Sequence, residues 1–291
     1  MADSQSDLTG GCHPLIDGYN TPYGYLPTFA PGAAFCVLFG LLAGIHMVQA
    51  IWKRTWWTLL LTVGCITEVF GWAARIWSTQ CPYNLNAFLM QFSTLIIAPT
   101  FFSAAIYIFL GCFVRIVGRA SSYLGPKSYL WTFGICDIIS IVIQGVGGGI
   151  ASADSKKIDG NLDNGSHIML AGVAFQLFSM AIFMICACDV FYRVYCHDLP
   201  VPGGSANLWL GVLVSTTTCI FIRCIYRTVE LGQGPGGYLL LHESYLISLD
   251  AVMMVLLVAI FAIFHPGWLV STKKEFIPLG EVQLLNRESR S

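Results

Sequence analysis

Ten polar side chains stand within or at the ends of stretches that are otherwise apolar, and their spacing is regular. Glu68 and Arg75 are seven residues apart, as are Asp137 and Gln144, and Glu243 and Asp250. Arg223, Arg227 and Glu230 follow at i, i+4, i+7, and Gln176 stands alone in a fifth apolar run. In a helix each of these sets falls on one face. A charge at bilayer depth costs about 2.5–3.5 kcal/mol on insertion scales, so such residues must face a partner or a wet cavity. Two chemistries fit. The groups can pair and lock a bundle, at roughly 0.6 kcal/mol per bridge. Alternatively they can form a site. Three arginines stand against five acids, a formal charge of −2. An unpaired buried carboxyl must take up a proton or hold a cation, so the excess of acid suits binding of a cationic group.

Chemistry that breaks covalent bonds has no such support. His242-Glu243 lacks the second histidine of a zinc-protease helix, and Cys186, Cys188 and Cys196 have no second pair or histidine cluster to complete a metal site. The glycine run Gly145, Gly147, Gly148, Gly149 has neither a preceding strand nor a following lysine, so it is read as a packing surface and not a phosphate cradle. No catalytic residues, metal or cofactor are expected, and no enzymatic activity. A net charge of −1 offers no basic surface for nucleic acid.

The elements that carry these residues follow from composition. The 291 residues are 56% hydrophobic and 11% charged, against about 25% charged in soluble domains. Several runs of about 20 residues lack any Asp, Glu, Lys or Arg, enough to cross about 30 Å of hydrocarbon. Seven segments are read, at 30–52, 56–77, 87–112, 128–150, 168–191, 206–226 and 244–264. Runs this long are helices and not barrel strands. Pro99 should kink the third. The fold expected is all-α: a polytopic bundle of seven transmembrane helices over 30–264, with an N-terminal segment at 1–29 and a tail at 265–291. No cleavable leader is visible in the polar start, so the first helix should act as an uncleaved anchor.

Lys and Arg set the orientation. Lys53, Arg54, Arg115, Arg119, Lys127, Arg193, Lys273, Lys274, Arg287 and Arg290 fall on one side, and only Lys156 and Lys157 on the other. Ten against two places the N-terminus outside and the C-terminus in the cytoplasm. The sequon Asn164-Gly165-Ser166 and the pair Cys12 and Cys81 then lie outside, where glycosylation and a disulfide can form. No internal repeat is evident.

The polar residues, in context, resemble a known family. The run Arg223, Tyr226, Arg227, Glu230, Gly232, Gly234, then Gly237, Glu243, Tyr245, Asp250 and His265-Pro266-Gly267 is similar to fungal RTA1-like proteins, the lipid-translocating exporter family. Glu68, Gly71, Trp72 and Arg75 resemble its second helix, with Trp72 where Tyr is usual. Ala98-Pro99 with Ala104, Ala105 and Tyr107 resembles the third, though Cys112 stands where an Arg is expected. Asp137, Gln144, Gly147 to Gly149, Gly172 and Gln176 resemble the fourth and fifth. The likeness runs from Tyr25 to Gly267. It implies a multi-pass plasma-membrane protein whose partner is a membrane lipid or amphiphile, with export of sphingoid long-chain bases or toxic amphiphiles. A seven-helix lipid sensor that regulates other transporters would share the same topology. The substrate residues it implies are the ten named at the outset.

Overall fold

The computed structural model describes residues 11–13, 16, 21–118, 121–154, 162–197, 206–234 and 236–269. The expectations for Arg119, Lys156, Lys157, Lys273, Lys274, Arg287 and Arg290 lie outside the described residues. Seven helices are long and apolar enough to cross a membrane, and there is no strand among the described residues. They are α1 (Phe29–Lys53), α2 (Leu59–Gln80), α3 (Leu85–Val117), α4 (Pro126–Asp154), α5 (Leu162–Cys196), α6 (Ala206–Gly232) and a composite α7 over 243–263. The protein is a multi-pass membrane protein.

Most helices outrun the apolar segments that announce them. The 33 residues of α3 rise about 50 Å, well beyond the hydrocarbon core, so its polar ends stand among headgroups and water. Local chemistry fixes several ends. The Asn84 side chain caps α3 by accepting from the amides of Asn86 and Ala87, at 3.0 and 3.2 Å. Arg54 ends α1 in the left-handed conformation, with φ of 53°. The second span starts with a 3₁₀ turn, Trp56–Thr58, before α2 proper. The seventh is segmented: one α turn (Glu243–Tyr245), a π-helical stretch (Leu246–Ala251), then an α-helix (Val252–Ile263).

Consecutive helices pack side by side, α7 returns to α1, and α3 also contacts α6. α3 is the central helix, with Phe102, Ala105, Ile106, Tyr107 and Leu110 fully buried. The closest pair, α4 and α5, meets through glycine. A Cβ added to Gly147 would lie 2.6 Å from the Met169 amide and 2.8 Å from the Gly165 carbonyl. The packing surface read from the glycine run is therefore Gly147. Gly145 and Gly149 have open space where a Cβ would stand.

The bundle is unlike at its two ends. Where α3 and α5 finish and α6 begins, aromatic rings close the interior: Phe109 stacks on Trp209 at 4.6 Å, Phe113 on Phe191 at 4.7 Å, and Phe261 meets Phe109 edge-on at 5.5 Å. Where α1 and α7 begin, the interior carries the charges.

Candidate functional site

Three polar groups are buried, two in the charged half and a third that reaches from there to Asp137 near the middle of α4. The first is a clasp at the end of the bundle. Arg75 of α2 pairs with Glu243 of α7 at 2.8 Å and donates to the Tyr25 hydroxyl at 2.7 Å. Glu243 in turn accepts from the Thr28 hydroxyl at 2.9 Å and from the Thr28 amide at 3.3 Å. Thr28 precedes α1 and makes no cap of its own, so Glu243 supplies the negative group that the start of α1 favours. The Arg75 guanidinium also lies within 6 Å of the Tyr23, Tyr25 and Trp72 rings, a cation–π setting. Tyr23 bonds Ser78 at 2.9 Å and donates to Gln91 at 2.7 Å. Burial pushes the Tyr23 phenol up to about 12 and raises that of Tyr25, so both stay neutral and able to donate.

The second group lies deeper, between α6 and α7. Asp250, on the π-helical stretch, is bound by both Arg223 and Arg227. Arg227 also reaches Glu230 at 3.0 Å, and the Tyr226 hydroxyl donates to the other oxygen of Glu230 at 2.8 Å. Arg223 donates besides to the backbone carbonyl of Leu95 in α3. That carbonyl stands four residues before Pro99, which has no N–H to give it. The proline thus frees a buried acceptor, and an arginine of another helix takes it. Glu68 of α2 is buried and within electrostatic reach of Asp250, Arg223 and Arg227, beside Trp72. No cationic partner lies within salt-bridge distance of it among the described residues.

The third group belongs to α4 and α5. Asp137 accepts from the Tyr107 hydroxyl at 3.0 Å and likewise has no cationic partner among the described residues. Ser140 donates to the Gly172 carbonyl at 2.6 Å, and Gln144 donates to Ser140 at 2.7 Å and to Gln176 at 3.4 Å. Gln144, Gln176, Arg223 and Arg227 line one narrow cleft with Phe92, Ile96, Val173 and Cys224. Its accessible space is about 10 Å³, room for about one water molecule.

Nine of the ten residues singled out from sequence are buried, and the tenth, Glu243, is only 14% exposed at its side chain. They do not form one cavity. Residues seven apart in a helix share a face but stand about 10 Å apart along the axis, so Glu68 and Arg75 are not local partners. Arg75 pairs instead with Glu243. Asp250, which lacks a basic neighbour in its own helix, draws two arginines from α6. Sequence reasoning missed Tyr23 and Tyr25, which belong to the polar start and carry no helical period. Tyr107 is named only through the family resemblance, and nothing in its spacing assigns it to Asp137.

Cys12 and Cys81 form a disulfide that ties the N-terminal segment to the α2–α3 turn. The sequon residue Asn164 is exposed in the first turn of α5.

Comparison with known proteins adds an independent line. Residues 61–273 match the family described as RTA1 like protein. A Saccharomyces cerevisiae protein named sphingoid long-chain base transporter RSB1 is 30% identical, with 96% of this chain and 83% of that one covered. Protein RTA1 of the same yeast is 30% identical, covering 70% of this chain and 63% of its own length. Protein RTM1 of the same yeast is 28% identical, covering 70% and 65%. No solved structure matches.

Proposed function

This chain belongs to the RTA1-like family, and we propose that it transports amphiphilic lipids with a cationic amine head, sphingoid long-chain bases foremost, across the plasma membrane. The observation that carries the reading is the imbalance of the buried charges. Arg223 and Arg227 are matched by Asp250 and Glu230, and Arg75 by Glu243. Glu68 and Asp137 are left over, two buried carboxyls with no salt-bridge partner among the described residues. An ammonium headgroup supplies one while its hydrocarbon tail remains in lipid. The name of the yeast relative supports the same class of substrate.

The ten residues then divide by role. Glu68 and Asp137 are the headgroup acids. Gln144 and Gln176 are neutral hydrogen-bonding groups along the cleft. Arg223, Arg227, Glu230 and Asp250 form the ionic frame that holds α6 against α7. Arg75 and Glu243 clasp the end. The cleft is too narrow for a headgroup, so α6 must part from α5 for substrate to pass, and the aromatic layer at Phe109, Phe113 and Trp209 closes the far side. No step makes or breaks a covalent bond, and the protein acts as a transporter and not as an enzyme. The N-terminus lies outside: the ten-to-two distribution of Lys and Arg supports it, and so does the Cys12–Cys81 disulfide, which belongs to an oxidising compartment.

The test is reconstitution of the purified chain in liposomes with a fluorescent long-chain base. Protein-dependent exchange between leaflets is expected, and Glu68→Gln should abolish it while the protein remains folded. Absence of exchange with well-folded protein would overturn transport and favour a sensor acting on other proteins.

A further inference from the structure

At the end of the bundle opposite the charge network, a groove opens between the last turns of α3 and the first turns of α4. It is an open groove of about 390 Å³, lined by Trp57, Ile108, Arg115, Lys127, Leu130 and Trp131, over a floor of Gly111 and Pro126. The floor is a backbone contact: a Cβ at Gly111 would stand 2.3 Å from the Pro126 carbonyl, so a larger residue there must displace the start of α4. Glycine at 111 lets the two helices touch below, and the groove lies beside that contact.

Its chemistry is of two kinds. Arg115 and Lys127 are both exposed, and neither has an acidic partner among the described residues. Ile108 and Leu130 are half-buried apolar walls, and Trp131 is 67% exposed. Tryptophan favours the headgroup level of a bilayer, and a cation pair at that level favours a phosphate. We infer that this groove is a binding site for one anionic phospholipid, with the phosphate between Arg115 and Lys127 and an acyl chain along Ile108, Leu130 and Trp131. On the orientation proposed above it faces the cytoplasmic leaflet, which is rich in such lipids. The site itself depends neither on that orientation nor on what the protein transports.

Native mass spectrometry of the full chain, with phosphatidylserine or phosphatidylcholine titrated into the micelles, tests it. One phosphatidylserine should be retained per protein, and phosphatidylcholine much more weakly. Arg115→Gln and Lys127→Gln should each weaken retention about fivefold, and the double substitution by the product of the two. Trp131→Ala should weaken it with both charges intact. Arg54→Asn, a charge removed at the same end but outside the groove, should leave retention unchanged; asparagine tolerates the left-handed φ of 53° found there. Inorganic phosphate at millimolar concentration should not displace the lipid. Equal retention of phosphatidylcholine, equal loss in Arg54→Asn, or displacement by free phosphate would each overturn the inference. So would full retention by the double variant. Melting without added lipid, matched to the parent chain, shows that a loss belongs to the groove and not to the fold.

Discussion

Buried acids in this protein fall into two kinds, and substitution should separate them. Asp250 is ion-paired with Arg223 and Arg227 at once. Asp250→Asn leaves two guanidinium groups facing an amide, and breaking such a buried pair costs about 3–5 kcal/mol. Its melting point in detergent should fall markedly, with transport lost as a consequence. Glu68 and Asp137 have no salt-bridge partner to abandon among the described residues. Glu68→Gln and Asp137→Asn should melt close to the parent chain while transport of a long-chain base is lost, and neutral amphiphiles should be less affected. Equal destabilisation by all three would return every acid to a scaffold role. The tyrosines at the clasp make a separate test. Tyr25→Phe removes a hydrogen bond to a charged partner, worth about 1.5–3 kcal/mol. Tyr23 has its phenol raised by burial from 10.0 to about 12. The folded state keeps that proton after the unfolded chain has lost it. Its contribution is therefore complete below pH 10 and is lost as pH rises from 10 towards about 12. The stability gap between the parent chain and Tyr23→Phe should be flat through neutral pH and close over that alkaline window.

At the scale of elements, Pro99 is the clearest case of one helix working on another. A proline inside a helix costs about 3 kcal/mol relative to alanine, so Pro99→Ala should ordinarily stabilise α3. Here alanine restores an N–H to the Leu95 carbonyl and competes with Arg223 for it. Pro99→Ala should therefore give little or no gain in the parent chain. In an Arg223→Met background, where no guanidinium competes for that acceptor, it should raise the melting point. The two effects form a double-mutant cycle, and additive values would show that helix α3 and Arg223 are not coupled. The sequence announced the helices well, because a run of about 20 residues without charge has few other uses. It announced their ends poorly, since α3 and α5 continue as helix through polar turns that the apolar count discards. Site legibility had the same limit. Seven-residue spacing correctly put Glu68 and Arg75 on an inward face, but it says nothing about which helix comes opposite. A backbone carbonyl freed by a proline has no side-chain signature at all. The π-helical stretch Leu246–Ala251 was equally silent: its composition is that of any apolar helix, yet it carries Asp250 to two arginines.

The whole molecule is organised along its long axis, with the charge network and the disulfide at one end and the aromatic layer and the cationic groove at the other. Which end meets the outside decides from which side the proposed headgroup acids, Glu68 and Asp137, would receive substrate. The Cys12–Cys81 link offers a direct measurement, because Cys12 is exposed and its partner sits in the turn between α2 and α3. Replacing Cys81 by serine leaves Cys12 as a free thiol. A membrane-impermeant maleimide added to intact cells should label Cys12 in that variant and not in the parent chain, where the thiol is tied up. Prior treatment with an impermeant reductant should make the parent chain reactive as well. The stability lost with the link should be smaller than the roughly 4 kcal/mol that a 69-residue closure contributes in a free chain, because α1 and α2 remain inserted and already hold its ends together. An epitope fused after Ser291 should be accessible only once the cells are permeabilised. Labelling of Cys12 only after permeabilisation would invert the bundle. The clasp of Arg75 and Glu243 would then face the cytoplasm, and the proposed direction of transport would have to be redrawn with it.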